Sequence, residues 1–404
     1  MFSLCLIKMI CSNRSDEYTF GKMSNDKIYF KNLDAIRFLA AMMVFLGHAI
    51  APAYVYLPIK NTVCEKILNL ISNGGTGVSI FFVLSGFLIT FLLLSEFELN
   101  KKISLKNFYI RRILRIWPLY FLVVSFSFIF YPFFKTIIGM NHPLKSIFLF
   151  HLFFLSNFDV INIENHWFGS GAMSQNITWS VSIEEQFYLF WPLIFAFLPR
   201  RYWLFSIFLV ITGSIIFRII HNNDPIVLYF HTFSVLLDLG IGGMMAYIIK
   251  SNVTIKTFFE SCSTYTHLTL FIVTISLLYW NNNLFNFSYG HAIGRIFISL
   301  SFAVTITAQA LTKSTSILNL QRLRFASNWG KYTFGIYLIH PIALTLIDPI
   351  VRTLHIPKDN FTTLFSIGII GLFLTLFLSK LSYTYYESKF LVLKDKFATI
   401  KTHE

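Results

Sequence analysis

The chain has 404 residues, 55% of them hydrophobic and 18% aromatic but only 13% charged, a balance that excludes an ordinary soluble domain and marks a polytopic membrane protein. A formal net charge of +14 would suit nucleic acid in a soluble protein, but in a membrane protein basic residues collect in cytoplasmic loops and set orientation, so no nucleic-acid partner is expected. Four cysteines, Cys5, Cys11, Cys64 and Cys262, show neither metal nor redox spacing, so neither a bound metal nor a disulfide framework is expected.

Residues 1 to 29 read as an N-terminal cytoplasmic tail. Its first 22 residues hold an apolar run too short to span and no small-residue cleavage site, which argues against a signal peptide, and Met23 opens an alternative start. Apolar stretches long enough to span then fall near residues 33 to 53, 78 to 95, 116 to 134, 179 to 198, 202 to 220, 226 to 249, 265 to 280, 291 to 311, 332 to 351 and 361 to 379. SIFLFHLFFLSNF at residues 146 to 158 is a further candidate, short for a span, and charge decides its placement. With that segment left out and the N-terminus inside, 24 of the 33 Lys and Arg residues fall in segments assigned to the cytoplasm and six in those assigned outside, while Arg37, Arg218 and Arg295 lie within spans. Counting the segment as a span would erase this asymmetry, so it reads as a re-entrant or surface helix. The expected fold class is all-α, with about ten transmembrane helices in a membrane-integral domain over residues 30 to 380, both termini cytoplasmic, and a basic tail over residues 381 to 404.

The first span reads RFLAAMMVFLGH, which sets Arg37 and His48 eleven positions apart. Eleven residues are almost three helical turns, so the two share a face, roughly 16 Å apart along the axis. Charged side chains at membrane depth are costly and mark functional sites by default. Asp34 lies one turn before Arg37 and is placed to pair with it. The plainer alternative is that Arg37 snorkels to the inner headgroups and His48 is a hydrogen-bonded core residue.

Three later segments carry further candidates. FYIRRILRIWPLY opens the third span from the cytoplasmic side, with Arg112 and Arg115 one turn apart; guanidinium forks suit phosphate oxygens, yet basic residues at such a helix end are also what orientation requires. TWSVSIEEQFYLFWP enters from outside and puts Ser180 and Glu184 on one face, with Glu185 adjacent. Either glutamate suits orienting or protonating a histidine, while a helix cap at Thr178 or Ser180 and a dipole complement explain the same residues structurally. Ser85-Gly86 in the second span favours close helix packing. FGIYLIHPIAL puts His340 at depth before Pro341, where a kink exposes backbone groups; His340, like Asp34 and Glu185, is a second-tier candidate.

Together these segments resemble the membrane-integral acyltransferase-3 family, which includes bacterial O-acetyltransferases of lipopolysaccharide O-antigen, exopolysaccharide and lipochitooligosaccharide. The resemblance runs from about residue 30 to the C-terminal tail. The family's arginine-x10-histidine motif matches Arg37 and His48, its RxxR motif Arg112 and Arg115, and its SxxxE motif Ser180 and Glu184. Some relatives carry an extra helix and an extracytoplasmic SGNH hydrolase-like domain; this chain resembles the stand-alone type. The resemblance implies a bacterial inner-membrane O-acyltransferase that moves an acyl group, most often acetyl, from cytoplasmic acyl coenzyme A to a hydroxyl of a surface glycan or its lipid-linked precursor. In that reading Arg112, Arg115 and Arg37 hold the donor phosphates, and His48 is general base or transient acyl carrier. Glu184 fixes the histidine as the third member of a triad does, and Ser180 orients Glu184. The competing class is a transporter or flippase of a glycan or small anion, which would favour inverted repeats and matching broken helices; the sequence has no such symmetry.

Overall fold

The computed structural model describes residues 30–49, 53, 56, 63–137, 146–163, 176–312, 316–358 and 360–398, and among these every regular element is a helix. The tail before residue 30, with Met23, Cys5 and Cys11, lies outside the described residues. Helix α1 is Lys31–Ala49, α2 Gly74–Asn100 and α3 Leu105–Ser125; the short α4 (Phe148–Leu152) and α5 (Ser156–Asn162) precede α6 (Thr178–Phe197). Then come α7 (Trp203–Ile220), α8 (Thr232–Ser251), α9 (Val253–Glu260), α10 (Thr264–Leu284) and α11 (Gly290–Leu311), followed by α12 (Thr333–Thr353), α13 (Phe361–Ser382) and α14 (Ser388–Asp395).

Among the described residues, eight helices are long and apolar enough to cross a membrane, those built on α1, α2, α3, α7, α8, α11, α12 and α13. Helices α9 and α10, bent by 96° where they meet, pass that test only as a pair and would make a ninth. The sequence reading of about ten counted the stretch that became α6, which is 20 residues long but carries Glu184, Glu185 and Gln186 at its centre. These polar groups point into protein rather than lipid, so α6 is set apart from the apolar spans by the residues that make it a candidate for chemistry. Phe205, Phe208 and Leu209 of α7 and Phe373 and Phe377 of α13 are exposed apolar side chains, as expected where a helix faces hydrocarbon.

The segment at residues 146 to 158 forms α4 and α5, each far too short to span, broken at Phe154, whose φ is 54°. Buried polar contacts anchor it. The Tyr120 hydroxyl donates to the His151 carbonyl at 2.8 Å, and the Ser146 hydroxyl bridges His151 Nε2 and the Asp159 carboxylate. Burial pushes the His151 imidazole down to about 4, which keeps the ring uncharged at neutral pH.

Helix ends are set by local side chains. The Asn73 side chain accepts from Thr76 N–H to start α2, which ends at Lys101 in the left-handed region with φ 56°; Ser104 caps α3. The centre of the bundle is the crossing of α2 and α8. A Cβ on Gly86 would lie 1.9 Å from the Leu239 carbonyl oxygen, and one on Gly242 2.0 Å from the Val83 carbonyl oxygen, so only glycines allow these backbones to touch. Gly86→Ala is therefore expected to lower stability by about 1–3 kcal/mol, the usual range for overpacking, whereas Gly213→Ala, with nothing within 4 Å, is expected to be neutral or mildly stabilising. Thermal unfolding of the detergent-purified variants checks the contrast.

Candidate active site

His48 sits in the last turn of α1, half-buried, and its ring lies against His340 of α12. The ring centroids are 5.2 Å apart with planes 30° from parallel, and His48 Nδ1 is 3.1 Å from His340 Nε2. The tautomers follow from the partners. His340 Nδ1 is 3.1 Å from the Ile336 carbonyl oxygen and also interacts with the Tyr337 carbonyl, both pure acceptors, so Nδ1 of His340 carries its proton. Pro341, lacking an N–H, leaves the Tyr337 carbonyl without its intrahelical donor and thus available to that ring. His340 Nε2 is then an acceptor and His48 Nδ1 the donor, which makes Nε2 the basic nitrogen of His48.

A cavity of about 200 Å³ begins at the end of the bundle that carries the basic loops and runs between α1, α2, α3, α6 and α12. Six cationic side chains line it: Arg37, Arg111, Arg112, Arg115, Lys331 and Lys394. Arg37 Nη1 pairs with Asp34 Oδ1 at 2.8 Å, and Arg111 bonds Glu96 at 3.0 Å and the Phe397 carbonyl at 2.8 Å. Arg112 lies over the rings of Phe108 and Tyr188, at 5.6 and 5.7 Å, and its buried Nε has no hydrogen-bond partner. A buried unpaired donor is costly and calls for an acceptor, and cations gathered from four separate segments suit a polyanion. Glu96 and Glu184 are the only carboxylates among the lining residues.

Glu184 faces this cavity, accepting from the Ser85 hydroxyl at 2.7 Å and from the Tyr188 hydroxyl at 3.2 Å, with Arg112 and Arg115 as its electrostatic neighbours. No hydrogen bond joins Glu184 to His48 among the described residues. The triad-like arrangement expected from the sequence therefore differs from the geometry: His340 holds the histidine, and Glu184 stands among the arginines. Nor is Ser180 hydrogen-bonded to Glu184. Its hydroxyl lies 2.5 Å from the Tyr337 hydroxyl, and this pair lines the cavity one turn of α12 before His340. Glu185 is turned away, taking the Trp117 indole N–H at 2.8 Å on one oxygen while its other oxygen is buried without a partner.

The structure thus brings Arg37, Arg112, Arg115, Ser180 and Glu184 to one cavity; the joined His48 and His340 are not among its lining residues, and Tyr337, which lines it, packs against His340. Sequence reasoning missed Arg111, Lys331, Lys394, Tyr188 and Tyr337. Tyr337 was findable, being three residues before His340 on a common helix face. Lys394 was not, because the stretch read as a free basic tail folds as α14 and docks at the cavity mouth, where Arg111 reaches the Phe397 carbonyl. Among the described residues no group of three or more histidines, cysteines and acids is placed to hold a metal.

No solved structure matches the chain. Curated relatives do. The O-acetyltransferase OatA of Staphylococcus aureus (strain NCTC 8325 / PS 47) is 26% identical over 377 residues, which is 89% of this chain and 57% of the relative. The putative peptidoglycan O-acetyltransferase YrhL of Bacillus subtilis (strain 168) is 26% identical over 375 residues, 89% of this chain and 54% of the relative. The putative O-acetyltransferase SACOL0978 of S. aureus (strain COL) is 27% identical over 383 residues, 90% of this chain and 57% of the relative. This chain spans just over half the length of each. The family model described as an acyltransferase domain matches residues 30–383, and with that match over most of its length the chain belongs to the membrane-integral acyltransferase-3 family.

Proposed function

We propose that the protein is a membrane O-acetyltransferase of the bacterial inner membrane that carries acetyl from cytoplasmic acetyl coenzyme A to a hydroxyl of a surface glycan. The observation that carries this reading is the cavity itself, cationic at the basic-loop end and lined also by Ser180 and Tyr337, whose ring packs against His340, the partner of His48. It suits a donor that is polyanionic at one end and reactive at the other. The phosphates would meet Arg112, Arg115, Arg37 and Lys394, and the thioester would reach the histidine pair. Family membership and the relatives named as O-acetyltransferases support the same class.

The residues then divide the work. His48 Nε2 takes the proton of the acceptor hydroxyl as its oxygen attacks the thioester carbonyl, and returns that proton to the departing thiolate. While protonated, the imidazolium donates through Nδ1 to His340 Nε2, so the partner that fixes the tautomer also stabilises the charge. In the two-step variant His48 Nε2 attacks the thioester carbonyl and expels the thiolate, and the acceptor hydroxyl then takes the acetyl from Nε2 while its proton goes to the thiolate. Glu184, held by Ser85 and Tyr188, sets a negative charge beside Arg112 and Arg115, and acts as a positioning residue. Mass spectrometry of surface glycans from cells with and without the gene tests the reading. An acetyl-sized increment that depends on the gene supports it, and identical glycans overturn it.

A further inference from the structure

A second cavity, of about 590 Å³, lies at the other end of the bundle, within the range of roughly 300–1,000 Å³ typical of small-molecule sites. Helix α7 starts at the basic Arg200–Arg201 end and delivers Arg218 to this opposite face, where Trp179, Asn222, Tyr229, His291 and Arg295 join it. Val78 and Phe82 of α2 line both cavities, so the two meet across one layer of side chains. Consecutive residues of α6 divide between them, Trp179 facing the second and Ser180 the first.

The polar groups of this cavity are not explained by the fold alone. Arg295 is accounted for, its guanidinium bonded to Asp238, which also takes the Ser299 hydroxyl. Arg218 is 6% exposed and, among the described residues, has only neutral hydrogen-bond partners, the Leu228 carbonyl and the Ser234 hydroxyl, while its buried Nε has none. The Asn222 side-chain oxygen is likewise buried without a partner. A buried arginine with an unsatisfied donor is expensive to keep, even in the last turn of a span. Two guanidinium groups against the single carboxylate of Asp238 leave the site positive. Beside it Trp179 and Tyr229 form an aromatic wall, with ring centroids 5.1 Å apart.

Building on the acyl-transfer reading, we infer that this cavity is the acceptor site, holding a sugar against Trp179 and Tyr229 with an anionic group of the acceptor on Arg218, and presenting its hydroxyl toward the first cavity across Val78 and Phe82. The anion is a carboxylate on the sugar or a phosphate joining it to a carrier.

Titration calorimetry on the purified full-length chain, without donor, tests the site with three probes: a neutral chitotetraose, a muramic-acid disaccharide bearing a carboxylate, and N-acetylglucosamine 1-phosphate. One or both anionic probes are expected to bind more tightly than the neutral one, and whichever binds better names the source of the charge. Arg218→Gln is expected to weaken that probe by about tenfold or more, the scale of one lost charge-assisted contact. Asn223→Trp, at an exposed rim position, is expected to weaken all probes that bind, with coenzyme A binding at the first cavity as the measure of folded protein. Absence of binding by every probe, equal binding of neutral and anionic probes, or affinities untouched by both substitutions overturns the inference. Because binding is read without turnover, a site that binds while no acetyl ever reaches a glycan would sink the enzyme reading and leave this cavity standing.

Discussion

Replacing His48 with alanine is expected to remove acyl transfer, lowering turnover on the order of 10²–10⁴-fold, the usual loss for a positioned general base. The choice of Nε2 as the base follows from the hydrogen-bond partners of the two rings. His48 Nε2 is basic because Nδ1 is committed to His340, whose own proton is committed to main-chain carbonyls freed in part by Pro341. His340→Gln is expected to cost less than His48→Ala, because it loosens the ring without removing the base. His48→Ala should keep its affinity for coenzyme A, since the cationic mouth is built by α3, α14 and the start of α1 and α12. Single-turnover assays on purified protein decide the matter. Wild-type transfer by the alanine variant would end the catalytic assignment, and loss of coenzyme A binding together with transfer would show a structural role instead.

The second large effect is expected at Arg112. Among the described residues its buried Nε has no partner, so the phosphates of a donor would supply what the fold does not. Arg112→Met retains most of the apolar stem over Phe108 and Tyr188 while removing the charge. A hydrogen bond to a charged group contributes about 1.5–3 kcal/mol, so the donor KM should rise roughly 10- to 150-fold with a smaller change in kcat. A phosphate-free donor, S-acetyl-N-acetylcysteamine, provides the internal control, because wild type and variant should handle it alike. Equal losses on both donors would mean that Arg112 does not read phosphate.

Much of this site was legible in the sequence, and the part that was not has a physical cause. Helical periodicity shows which residues share a face, so Arg37 with His48, Arg112 with Arg115 and Ser180 with Glu184 were found as pairs. Periodicity does not show which faces meet. Hence the sequence pairs Glu184 with His48, when its partners are Ser85 from α2 and Tyr188 from its own helix, and it ranks His340 second although His340 holds the histidine. Helix α6 stands apart from the more apolar spans for a related reason, since hydropathy records average apolarity and α6 spends its centre on polar groups that face protein. The reading of residues 146 to 158 as a re-entrant or surface helix rests on the charge asymmetry, and α4 and α5 are both too short to cross. Arg218 was visible only as a basic residue within a span; its significance rests on the missing partner, which no sequence displays.

The most direct test of the account is transfer across a membrane in purified form. Protein reconstituted in vesicles receives labelled acetyl coenzyme A on the basic-loop face and a saccharide acceptor on the other. The account predicts covalent acetyl on the saccharide, dependent on His48 and absent when the donor is supplied only to the acceptor face. Passage of unmodified saccharide or donor across the membrane with no acetyl transferred would contradict it and favour a transporter.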